Sequence, residues 1–167
     1  LGVGKGRKRV LAAKWLVLLG MELFALALAV GSFAAGFALL GKGKLPLSLW
    51  LAVMGALWFG SFLLYLWHLF LNLRFSKTVS MGVGMAESLI SALFLTGLGD
   101  GIWQYVPASY SARGSLEILR IHFTEMGGKE ISGEYMRQFC VNLLITVVLC
   151  AIIFLWFQFY EGRTCDD

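Results

Sequence analysis

Three ionisable residues, Glu22, His68 and Glu87, each fall inside a long apolar run. Ionisable groups at membrane depth serve as ion pathways, proton relays or ligand counter-ions, or else pair to offset the cost of their burial. Glu22 is the single charge between Trp15 and Leu40. It lies roughly 16 Å into the first apolar helix, at about 1.5 Å of rise per residue. His68 sits five residues before the end of the second run at Leu73, and Glu87 follows early in a third. If the third run enters from the side where the second leaves, both lie at depths of about 8 to 10 Å. There they could pair. Such a pair could relay a proton, since imidazole titrates near neutrality. It could equally neutralise two costly groups and fix helix register.

A single carboxylate in the first span of a small four-helix membrane protein resembles the arrangement in small multidrug-resistance transporters. That resemblance rests on Glu22 alone. It implies a residue that exchanges protons for a cationic substrate. The other reading of Glu22 is a protonated or hydrogen-bonded glutamate that holds the bundle or a partner subunit.

Other chemistry finds little support. Bis-histidine haem needs two ligands facing each other across a pocket between packed spans, and His122 lies in a polar connecting segment rather than at the depth of His68. Cys140, Cys150 and Cys165 follow no metal or disulfide pattern. The first two lie ten residues apart in one apolar run, where cysteine serves as a small packing residue. Gly82-x-Gly84 lacks the third glycine and the preceding strand of a dinucleotide fingerprint. No catalytic or metal-binding motif is recognised, and no cofactor is indicated.

The elements that must position these residues follow from composition. The chain has 167 residues, 59% hydrophobic and 14% charged, with mean hydropathy +0.77. Soluble domains carry closer to about 25% charged residues, so the apolar excess faces lipid or neighbouring subunits. The net charge of +4 gathers beside the apolar runs, as topology and lipid headgroups require; nucleic acid is not an expected partner.

Trp15 to Leu40 and Leu47 to Leu73 each exceed the roughly 20 residues that cross a bilayer. They are joined by the short basic loop Gly41-Lys42-Gly43-Lys44-Leu45-Pro46. Lipid offers exposed backbone no partner, so both are helices, and the short loop makes them an antiparallel hairpin. The basic run before the first helix mimics a signal peptide, but the apolar run is too long for a signal core and reads as a retained span. Ala27, Gly31 and Ala35 form a small-residue stripe on the first helix, and Ala52, Ala56 and Gly60 form another on the second. Small residues at that spacing allow close backbone approach, so the two stripes are expected to mate.

Met81 to Leu98 is a third apolar segment, with Gly84, Ser88 and Ala92 on one face turned toward protein. Trp103 and Tyr105 are expected as interface anchors. Between Ser109 and Gly133, Leu116, Leu119, Phe123 and Met126 recur at helical spacing and predict a short amphipathic helix on the membrane surface. Ser132 is expected to cap a last helix that spans about Phe139 to Tyr160. The positive-inside rule favours three spans and hydropathy favours four.

The expected architecture is therefore an all-α transmembrane bundle of four spans, with three as the alternative. It has a basic segment over 1–9, three helices over 10–106, a polar connection over 107–133, a last span over 134–160 and a polar tail over 161–167. The N-terminus is expected on the positive-inside face of a membrane whose type the sequence does not specify. The expected function is a non-catalytic subunit that packs among other membrane subunits in the lipid bilayer, an energy-transducing assembly being one setting. The alternative is a proton-coupled transporter built on Glu22.

Overall fold

The computed structural model describes residues 5–41, 45–124 and 128–160. Among these the elements are α1 (Lys5–Leu39), α2 (Leu47–Arg74), α3 (Lys77–Phe94), three short 3-10 turns (Gly97–Gly99, Trp103–Tyr105, Pro107–Ser109), α4 (Tyr110–Phe123) and α5 (Gly128–Phe159), with no strand. Three segments are long and apolar enough to cross a membrane: Arg9–Leu39 of α1, the whole of α2, and Tyr135–Phe159 of α5.

α1 starts at Lys5, earlier than expected. Lys and Arg are good helix formers, so the basic run joins the apolar helix without a break. Gly41 takes a left-handed φ of 68° just past the end of α1, a conformation glycine adopts without steric cost. Pro46 occupies the N-cap of α2 in an extended conformation. α5 begins at Gly128, so Ser132 lies inside the helix rather than at its cap. Met126 lies outside the described residues.

The α1–α2 hairpin is antiparallel, and indoles hold it. Trp15 Nε1 donates to the Phe62 carbonyl (2.9 Å) and Trp58 Nε1 to the Leu19 carbonyl (3.0 Å). Phe33 and Phe37 pack edge-on to Trp50, with centroids 5.9 and 6.3 Å away. Indoles and phenyl rings fill this seam, and the expected mating of small stripes does not occur. Ala27, Gly31 and Ala35 are exposed, and a Cβ built at Gly31 would meet nothing within 4 Å. On α2, Ala52 is exposed and Ala56 half-buried, while Gly60 serves a different neighbour.

α5 runs parallel to α2. Its last turns join the principal core, where Leu11, Leu63, Leu66, Ile153 and Phe157 pack together. The Tyr160 hydroxyl donates to the Leu73 carbonyl (2.7 Å).

α3 and α4 both run antiparallel to α2 and share its length between them. α3 lies beside the C-terminal half of α2, with Ser80 near Asn72 and Glu87 beside His68. α4 lies beside the N-terminal half. A Cβ at Gly60 would collide with the Ser111 backbone, and one at Gly114 would touch Ala56. The expected amphipathic helix thus exists, but its polar side is the covered one. Arg113 and Glu117 are buried, Leu116 and Leu119 half-buried, and Phe123 exposed. Trp103 is likewise fully buried at 1% exposure, whereas Tyr105 is exposed.

One arginine explains the inversion. Arg113 Nη1 donates to the Phe94 carbonyl at the end of α3 (3.0 Å) and, at longer range, to the Thr96 carbonyl (3.4 Å), which also accepts from the Gly99 N–H (3.0 Å). Arg113 Nη2 pairs with Asp100. Arg113 Nε lies 3.3 Å from Glu117 Oε1, an ion-pair distance without hydrogen-bond alignment. A guanidinium at a helix C-terminus satisfies orphan carbonyls and complements the helix dipole. Arg113 of α4 therefore caps α3 across the intervening turns.

Candidate functional site

Along α2, Ser61, Tyr65, His68 and Asn72 follow one another at steps of four, three and four. A helix turns that spacing into a single stripe. On α3, Ser80, Gly84, Glu87 and Ser91 repeat the same steps, and the two stripes face each other. The register of α3 is set at its first turn, where Ser76 caps the helix by accepting from the Val79 N–H (3.2 Å).

His68 is bonded at both ring nitrogens. Nδ1 lies 2.9 Å from Ser80 Oγ and Nε2 lies 2.8 Å from Glu87 Oε2. Asn72 Nδ2 donates to the His68 carbonyl (3.0 Å) and reaches Ser80 Oγ at 3.4 Å. In the neutral tautomer with a proton on Nε2, the ring donates to Glu87 and accepts from the Ser80 hydroxyl. Because a hydroxyl can rotate between donor and acceptor, Ser80 can serve either tautomer of the ring. Gly84 leaves the space the ring occupies, since a Cβ there would sit 3.3 Å from His68 Cε1.

A groove of about 580 Å³ runs between α2, α3 and the start of α4, with Ser61, His68, Glu87, Ser91 and Ser111 among its lining residues. At one end stands the His68–Glu87 pair. At the other is buried Ser61, whose hydroxyl bonds Glu22 Oε1 on α1 and has the Leu57 and Trp58 carbonyls within reach at 3.2 and 2.8 Å. Glu22 Oε2 is buried without a hydrogen-bond partner among the described residues. The groove thus joins the His68–Glu87 pair at one end to the Ser61–Glu22 contact at the other.

The expected His68–Glu87 meeting is thus present. Glu22 stands apart from it and connects to the groove through Ser61. Ser88 and Ala92 also line the groove. Ser61, Tyr65 and Ser80 were missed by sequence reasoning, although the four-three-four spacing on α2 could have revealed the stripe. His122 lies exposed near the far end of α4, against Phe123, and does not join His68. Cys140 and Cys150 are free thiols, and Cys165 lies outside the described residues. Among the described residues no three metal-ligating side chains cluster.

A second polar cluster surrounds the Arg113 clamp. Glu117 accepts from Arg120 Nη1 at 3.0 and 3.2 Å. Asp100, Arg113, Glu117, Tyr135 and Gln138 border a cavity of about 250 Å³. Two basic and two acidic side chains balance there, which suits a structural joint better than a site for an ion. No protein-family model, no curated protein and no solved structure matches the chain.

Proposed function

We propose that the chain is a non-catalytic membrane subunit that packs laterally within a larger assembly of membrane proteins. In this reading it crosses four times, α3 and α4 being the two halves of one discontinuous crossing. Irregular backbone at membrane depth is tolerated where protein buries it, and the Arg113 clamp supplies that shelter for the α3–α4 junction. With N- and C-terminal helix ends on one side, the basic N-terminal run places both on the positive-inside face.

The observation that carries the reading is the free face of α1. Only 6% of its apolar stretch is buried, as in α5, against 22% for α2, and on α1 Ala27, Gly31 and Ala35 stand open. A purely lipid-facing helix gains nothing from small residues, whereas a helix that receives another one does. Purification from native membranes in mild detergent tests it: the chain should migrate with fixed partners. Gly31→Leu should reduce that complex while leaving the isolated chain folded. Migration alone under these conditions defeats the proposal.

The polar groove favours a second reading, a proton-coupled transporter in which Glu22 and the His68–Glu87 pair exchange protons. Reconstituted alone, such a protein would drive uptake of cationic dyes with a pH gradient. Glu22→Gln would abolish uptake, because the amide keeps shape and hydrogen bonds but cannot carry the proton. A subunit would show no uptake in either form and would still assemble with the glutamine.

A further inference from the structure

Glu87 borders two spaces. One is the polar groove, and the other is a cavity of about 520 Å³ between α2, α3, α5 and the turn at Pro107. That volume suits a small molecule, for which about 300–1,000 Å³ is typical. Among the described residues Glu87 supplies the one charged side chain on the cavity wall, and the rest is aliphatic and aromatic. Ile90 of α3 and Leu149 and Ile152 of α5 line the space and are themselves exposed. The cavity therefore opens sideways, between α3 and α5, toward the surrounding lipid.

Two features of the wall say what it accepts. The first is the carboxylate. Its Oε2 meets His68 Nε2, while its Oε1 has no hydrogen-bond partner among the described residues. Unlike Glu22 Oε2, this oxygen is not sealed inside the protein. A neutral imidazole gives the carboxylate one hydrogen bond and leaves its charge uncancelled. In apolar surroundings that charge attracts a cation far more strongly than it would in water. The second feature is aromatic. Trp67 and Phe70 stack with centroids 5.3 Å apart, and Phe70 meets Trp156 edge-on at 4.6 Å. Aromatic rings attract organic cations, indoles most strongly. An anion would be repelled by Glu87, and a metal ion would find no second charged ligand on the wall.

We propose that this cavity binds a lipophilic organic monocation, which enters from the bilayer and sets its charge against Glu87 Oε1 and the rings of Trp67 and Trp156. Its apolar body lies along the aliphatic wall between α3 and α5. The site rests on Glu87 and the aromatic wall alone, and it depends neither on the assembly nor on proton exchange at Glu22.

The test is equilibrium dialysis of radiolabelled tetraphenylphosphonium against the full chain in nanodiscs of uncharged lipid, with binding to empty nanodiscs subtracted. Binding should saturate at a single cation per chain. Benzyltrimethylammonium should compete for it. Neopentylbenzene has the same shape with carbon in place of the charged nitrogen, and it should compete about tenfold less well or worse. Glu87→Gln keeps an acceptor for His68 but removes the charge, and it should weaken binding about tenfold or more. Glu87→Asp should retain part of the affinity. Trp156→Leu should weaken binding several-fold and Trp156→Phe less, with folding of each variant followed by circular dichroism. Equal competition by the ammonium and its neutral isostere, or affinity unchanged by Glu87→Gln, would overturn the site and leave only partitioning into lipid. Should the glutamine variant fail to fold, unchanged affinity in Trp156→Leu would overturn it equally.

Discussion

Gly31 lies at the middle of one small-residue stripe and Gly60 at the end of the other, and the folded chain treats them oppositely. A side chain at Gly60 would run into the Ser111 backbone, and backbone cannot move aside as a flexible side chain can. Gly60→Leu should therefore cost at least the about 1–3 kcal/mol typical of overpacking, visible as a lower thermal midpoint of the purified chain. Gly31→Leu should stay within about 0.5 kcal/mol in the same measurement, as exposed substitutions do. The pair formed by His68 and Glu87 allows a second comparison. Glu87→Gln keeps an acceptor for His68 Nε2–H, whereas His68→Leu strands Glu87 and leaves Ser80 only its long contact with Asn72. The leucine variant should lose about 1–3 kcal/mol and the glutamine variant clearly less, measured by thermal unfolding in detergent. The pair was legible in the sequence because both residues count inward from the same loop. The separate neighbours of the two stripes were not, because spacing reveals a face but not which neighbour meets it.

Among the elements, α1, α2 and α5 were legible from length and apolarity alone, and the short basic loop fixed the antiparallel hairpin. The α3–α4 pair was not. Arg113, Glu117 and Arg120 have the appearance of a solvated face, and only in the fold does Arg113 meet the Phe94 carbonyl at the end of α3 and the Asp100 carboxylate. That capping role sets a prediction. Arg113→Met removes the donor and leaves Glu117 buried and the Phe94 carbonyl uncapped. It should destabilise the chain by about 3–5 kcal/mol, the cost of breaking a buried ion pair, lowered somewhat because Asp100 is exposed. Arg113→Lys should not rescue it fully, since an ammonium cannot span carbonyls and carboxylates with one planar fork. Amide hydrogen exchange at Leu95 and Thr96 should rise in both variants. Unchanged exchange there would show that α3 ends stably without the clamp.

For the whole molecule, the decisive quantity is the side on which α4 ends. α3 starts beside the C-terminal end of α2 and α4 finishes toward its N-terminal end. A cysteine at Thr124 or Lys129 should therefore react with an impermeant maleimide only from the face opposite the N-terminus. Reaction from the N-terminal face would establish three crossings. The break between α3 and α4 also bears on how the chain is made. With 18 and 14 residues, neither helix is apolar and long enough to be released into lipid by itself, as about 20 apolar residues are needed. α4 instead finds its place between α2 and the first turns of α5, where Tyr135 and Gln138 border the Arg113 cavity. A nascent chain stopped at Thr124 should hold its first two helices in the bilayer and keep Thr124 on the N-terminal face. Synthesis of α5 should then carry it across, so that a glycosylation acceptor placed there is modified only in the full-length product.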